Sequence, residues 1–198
     1  NIRVRGLYDN IAVADSLGFT LRLVTEKDTQ WEMYGTDANI ILRKTCPFNI
    51  YDFEGYIVLN STYLYDYTVV DKRLIRAEVD TEEENTIIVH DMINDGYDVT
   101  LTFHPEDPML PFVTIDEGQV ASDEGSFFGQ THGDDKILVR TSQYSESIFY
   151  PCGKYLYVWT EMYVENLGEP VGTVGHYYNV MEWVSDEEAD RLMREDGM

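Results

Sequence analysis

The sequence predicts a mainly β protein: an antiparallel barrel-like or sandwich domain with one C-terminal helix, preceded by a partial β segment. Three observations carry this. Tyr97, Val99, Leu101 and Phe103 alternate with Asp98, Thr100, Thr102 and His104, and a period of two marks a strand with one buried and one wet face. Asn94-Asp95-Gly96 separates that strand from the apolar run Ile87-Ile88-Val89. This is hairpin chemistry, because glycine supplies the positive φ of a tight turn. Only the last element, from Ser185 onward, carries the signature of a helix.

In chain order, residues 2–5, 19–24 and 38–43 read as strands, with 15–18 as a loop. Alternation in the second sets Phe19, Leu21 and Leu23 opposite Thr20, Arg22 and Val24. So few strands make a poor free-standing sandwich, which usually takes about seven. Residues 1–45 are therefore expected to be the tail of a module whose earlier strands precede Asn1. Cys46-Pro47 interrupts the ladder, since proline has no amide donor, and sets the expected boundary with a larger domain, 46–198.

That domain opens at Gly55, before Tyr56-Ile57-Val58-Leu59, where glycine lets the chain bend across a barrel or sandwich end. Residues 63–70 and 74–80 are the next expected strands, and the first carries Tyr63, Tyr65 and Tyr67 as a ladder. The run Asp80-Thr81-Glu82-Glu83-Glu84-Asn85 reads as a solvated loop, and it lacks the spacing of a calcium-binding hand. Beyond the 85–103 hairpin, Pro105, Pro108 and Pro111 punctuate a connection to a strand at 112–115. Residues 118–133 read as glycine-rich turns around Ser126-Phe127-Phe128-Gly129, without the spacing of a nucleotide cradle. Further strands are expected at 136–140, 146–150, 154–164 and 174–184, the last two pairing across Gly168-Glu169-Pro170.

The closing helix is expected over 185–196. In Ser185-Asp186-Glu187-Glu188 the serine hydroxyl can accept the amide three residues on while Glu188 reaches back. Acids lead and Arg191 and Arg194 follow, which suits the helix dipole. Ala189, Leu192 and Met193 make a narrow apolar stripe, and Gly197 a stop.

The formal net charge is −23, from 37 acidic against 14 basic residues. A surface of that sign repels phosphate backbones and anionic lipid heads, which argues against nucleic-acid and membrane-surface partners. At 43% hydrophobic and 13% aromatic, the chain can build a core without metal or disulfide. No apolar run approaches the roughly 20 residues of a spanning helix. The sequence begins at Asn1 without a signal peptide, so a mature or trimmed product is expected. Cys46 and Cys152 are its two cysteines; they either pair in an oxidising compartment or remain buried thiols. Neither lies in a CxxC motif, so metal ligation by them is not indicated.

Cys46-Pro47-Phe48, then Phe53-Glu54-Gly55-Tyr56, and at the end Glu182-Trp183-Val184-Ser185-Asp186-Glu187-Glu188-Ala189 resemble a group of Bacteroidetes cell-envelope lipoproteins of uncharacterised function. The resemblance runs loosely from about residue 20 onward. It implies an immunoglobulin-like module before a barrel-like, lipocalin-like domain. It also implies export to the periplasm or cell surface, with a lipid-bearing N-terminus outside this sequence. No catalytic residue comes with it.

Reactive chemistry is thinly signalled. His90, His104, His132 and His176 are scattered, with no HxH or HExxH spacing. No GxSxG elbow occurs, and no residue set outlines an active site. No enzyme, cofactor or metal is therefore expected. The aromatic residues are the stronger signal. Tyr155, Tyr157, Trp159 and Tyr163 share one face of the 154–164 strand, and Leu156, Val158, Met162 and Val164 the other. Both faces are apolar enough for burial, so the ring face needs a cover: the closing helix, the N-terminal segment or a ligand. Internal packing is the first reading of such rings, but tyrosine and tryptophan also pair a flat apolar ring with a polar tip, which suits sugars and protein interfaces. The leading expectation is a non-catalytic envelope protein that binds or scaffolds, with glycan capture by Tyr155, Tyr157, Trp159 and Tyr163, and an envelope protein as a further candidate partner. The alternatives are a lipocalin-like barrel holding a small apolar ligand, and a glycan-directed hydrolase using acids such as Glu161 or Glu182.

Overall fold

The computed structural model describes residues 16–22, 37–43, 46–68, 70, 72–131, 134–166, 169–195 and 197. The chain divides into two compact units, 1–46 and 47–198. In the first, β1 (Ser16–Arg22) and β2 (Asp37–Arg43) pair antiparallel from Ser16↔Arg43 to Arg22↔Asp37. Thr20 donates to Asn39 at 2.7 Å, and the Arg22 fork meets both Asp37 oxygens at 2.8 Å. Residues 16–18, expected in a loop, belong to the ladder, because β2 is long enough to pair with them. The expected strand at 2–5 and residues 15, 23 and 24 lie outside the described residues.

The second unit is an antiparallel barrel. β3 (Gly55–Ser61), β4 (Lys72–Val79), β5 (Thr86–His90), β6 (Val99–His104) and β7 (Phe112–Thr114) follow as successive neighbours. β10 (Ile148–Tyr150) joins β7, while β11 (Tyr155–Asn166) and β12 (Glu169–Val184) return to β3. Pairing of Ile148 with Tyr157 and of Tyr150 with Tyr155 closes the ring at eight strands. In the other half of the barrel the same gap between β6 and β11 is spanned by β8 (Gln119–Ser122) and β9 (Ile137–Thr141). There Gln119 acts as a one-residue strand. Its side-chain oxygen accepts from Thr100 N at 2.6 Å, and its amide nitrogen donates to Thr100 O at 3.0 Å.

Eight strands leave an interior just wide enough for side chains to fill, and alternation supplies them. Ile57 and Leu59, Ile87 and Val89, Val99, Leu101 and Phe103, Leu156, Val158 and Met162, and Tyr177, Met181 and Trp183 point inward into one continuous core. The buried Asn179 amide is satisfied by Val158 O and Thr160 Oγ1, both at 3.1 Å. One end is plugged by rings. A 3-10 turn, Ile50–Phe53, delivers Phe53 to 4.7 Å from Phe103 and 5.1 Å from Trp183, with Phe149 4.9 Å from Phe103. Gly55, at φ +109°, makes the bend from that turn into β3.

Several expectations need correction. Residues 62–67 are a helix, α1 (Thr62–Tyr67), not a strand. Ser61 caps it by accepting from Tyr63 N, and Thr68 N closes it on Leu64 O. Tyr63 and Tyr67 therefore share a face at i and i+4 while the exposed Tyr65 points away, so there is no tyrosine ladder here. The link from β5 to β6 is the broader loop 91–98 rather than a tight turn, because Met92 and Ile93 fold back into the core. The glycine-rich stretch contains β8 and a second short helix, α2 (Glu124–Phe128), capped by Asp123 and ended by Gly129 at φ +73°. The closing helix, α3 (Asp186–Glu195), is thus not the only one. Ser185 accepts from Glu188 N at 3.2 Å, but the Glu188 carboxylate turns to the Arg191 fork instead of back to the cap. Ala189 and Leu192 are buried where α3 packs on β3 and β4, whereas Met193 is exposed.

Candidate functional site

The outer face of β10, β11 and β12 carries the aromatic residues that the sequence singled out. Cross-strand pairing sets Tyr155 beside Glu182, Tyr157 beside Val180, Trp159 beside Tyr178 and Glu161 beside His176. Tyr150 stacks on Tyr155 at 4.6 Å, Tyr157 on Tyr178 at 5.7 Å, and Trp159 leans on Tyr178 at 5.0 Å. The result is a five-ring strip across three strands, four of its rings half-buried and the fifth, Tyr150, exposed at its open edge. Sequence reasoning found three of these rings. Tyr150 and Tyr178 escaped it because their strands had to be placed beside β11 first. Packing against neighbouring rings pushes the Tyr155 and Tyr178 phenols above their ordinary value, with burial the main cause. Since α3 packs on β3 and β4, it is not what covers this face.

Tyr163 stands apart from the strip. A register shift between Met162 and Tyr163 interrupts the ladder, and the ring is buried under the Arg140 guanidinium at 4.7 Å. Its hydroxyl accepts from Gly118 N at 2.9 Å. Between the strip and Tyr163 lies a polar cluster centred on the buried Glu161. Glu161 accepts from Arg140 Nε at 3.0 Å and from Thr173 Oγ1 at 2.8 Å, while Arg140 also reaches Glu117 at 2.8 Å. Hydrogen bonds from Arg140 hold the Glu161 carboxyl below its ordinary value, against the opposing pull of burial. Each Glu161 carboxylate oxygen is thus bonded to a partner inside the fold. Glu182 is exposed and six register steps from Glu161 along the β11–β12 ladder. That is about 20 Å at strand rise, too far for two carboxylates to flank one glycosidic bond.

The described histidines do not converge. His90 sits 3.0 Å from Asp98 and 3.7 Å from Glu78. His104 stacks on Phe112 and bonds to Thr114, and His176 bonds to Ser142. His132 lies outside the described residues. Neither cysteine is free: Cys46 and Cys152 are both disulfide-bonded.

A second concavity went unread in the sequence. At the barrel mouth opposite the phenylalanine plug, Tyr67, Phe127, Phe128, Val164, Thr173 and Val174 line a cleft of about 470 Å³. Beneath it Tyr63 stacks on Tyr67 and Phe127 at 5.5 and 5.4 Å, and Tyr177 meets Tyr63 edge-on at 5.5 Å. The signals that could have revealed it were the two short caps, Ser61 before Tyr63 and Asp123 before Ser126, which mark helix starts. Because the inward-facing residues form one continuous core, a small apolar ligand of the lipocalin kind would meet this mouth rather than a hollow interior.

A family model described as a domain of unknown function, DUF4984, matches residues 33–195. No curated protein and no solved structure matches the chain.

Proposed function

The chain belongs to the DUF4984 family, a family of domains of unknown function, and we propose that it is a non-catalytic binding protein of the cell envelope that holds neutral glycan chains against its outer ring strip. The carrying observation is the strip itself: Tyr155, Tyr157, Tyr178 and Trp159, half-buried, with the exposed Tyr150 at their edge, mutually packed across three strands. Centroid spacings of 4.6 to 5.8 Å are about the length one pyranose unit occupies along an extended chain. Rings that stack on one another are fixed before a ligand arrives, which removes much of the ordering cost of binding. Their outward edges offer apolar C–H contact and phenol hydroxyls together. Glu182, exposed beside Tyr155, adds an acceptor for sugar hydroxyls.

Charge narrows the ligand. A net charge of −23 repels uronic and sialic acids, so a neutral glycan is the better fit. The committed Glu161 and the distance to Glu182 favour capture over cleavage. The envelope setting is supported by the bonded state of Cys46 and Cys152, which suits an oxidising compartment, and by the resemblance of the Cys46-Pro47-Phe48 and Glu182–Ala189 segments to envelope lipoproteins. Affinity electrophoresis through gels containing neutral or acidic polysaccharides tests the reading. Retardation by at least one neutral polymer, lost in Tyr157→Ala, is expected. Unchanged mobility across a broad neutral panel would overturn it.

A further inference from the structure

We propose that the cleft at the barrel mouth is a second binding site, for a small organic cation with apolar substituents of the quaternary-ammonium type. Its volume of about 470 Å³ falls within the range of small-molecule sites. Three of its walls are rings inclined to one another. Phe127 and Phe128 meet at 72° and 5.2 Å, and Tyr67 and Phe127 at 43° and 5.6 Å. Rings inclined to one another can offer a cation more than one π face, and aromatic cages hold a cation within about 6 Å of each centroid.

The surroundings favour positive charge. No lining residue carries a charge. Burial above all, then a hydrogen bond with Tyr67 and the nearby Tyr67, Tyr63 and Asp66, make the Tyr177 hydroxyl harder to ionise. Arg73 acts on the Tyr63 phenol, but its guanidinium is already engaged by Asp95 and Ile93 O and does not line the cleft. The −23 field of the whole chain concentrates cations at its surface. Val164, Val174 and the exposed edge of Phe128 then give apolar substituents a place to lie.

Calorimetric titration of the full chain with choline, and with the neutral dimethylbutanol of the same shape, tests this. Choline is expected to bind saturably and the alcohol at least tenfold more weakly. Tyr67→Ala and Phe128→Ala, at positions exposed enough to leave the fold intact, should each weaken choline about fivefold to tenfold. Trp159→Ala, on the outer strip, should leave choline binding unchanged, which separates this site from glycan capture. Equal binding of the alcohol, no choline binding, or equal loss in Trp159→Ala would each overturn the proposal.

Discussion

Arg140 Nε lies 3.0 Å from Glu161 Oε2, and that carboxylate is almost wholly removed from solvent. Arg140→Ala would strand the charge, and loss of one partner of a buried pair costs about 3 kcal/mol. Chemical unfolding should show a loss of that order. The same pair sets an acid limit. Glu161 titrates below its ordinary value of 4.5 when folded, so its stabilisation is complete above that pH and disappears as pH falls through the folded value. Melting curves from neutral pH downward should show this decline in wild type and a shallower one in Glu161→Gln.

Gly153 is packed against Tyr155, and a Cβ there would collide with the Tyr155 ring. Gly153 is not among the residues at positive φ, so alanine adds bulk without backbone strain. Gly153→Ala should turn Tyr155 off Tyr150 and alter the near-ultraviolet circular dichroism of the stacked rings. Stability should move by only about 0.5 kcal/mol.

Phe53 is fully buried at the centre of the ring plug, touching Phe48, Phe103, Phe149 and Trp183. Phe53→Ala should cost about 3–5 kcal/mol, read as a lowered urea midpoint. Because the plug lies at the end away from Tyr67 and Phe127, choline binding by the folded fraction should persist.

With Cys46 and Cys152 both bonded, alkylation of the unfolded, unreduced chain should add no mass, and reduction should expose two thiols. Removing the cross-link should lower the unfolding free energy by about 2–4 kcal/mol.

Strands with clean alternation were legible in the sequence. In β6 the pattern Val99, Leu101, Phe103 against Thr100, Thr102, His104 is what the barrel buries and exposes. β11 and most of β12 were legible too, although Glu169 and Pro170, read as part of the link between them, open β12; α3 was legible from its cap. The errors fall where local signals compete. Residues 62–67 hold three tyrosines that favour a strand, yet capping by Ser61 and burial of Leu64 against the mouth select a helix. The closure by Gln119 on Thr100 could not be read, since it joins residues of two strands through one side chain. Likewise, Tyr157 was readable as an aromatic on a strand face, but its stacking on Tyr178 depends on the register of β11 with β12.

If the strip of Tyr150, Tyr155, Tyr157, Tyr178 and Trp159 binds glycan, removing its tryptophan must weaken binding. Calorimetric titration of wild type and Trp159→Ala with an oligosaccharide of the neutral polymer that retards the protein most reads this, with thermal melting confirming that the variant is folded. At least a tenfold loss of affinity is expected in the variant. Affinity equal to wild type in a folded variant would rule the strip out as the glycan surface.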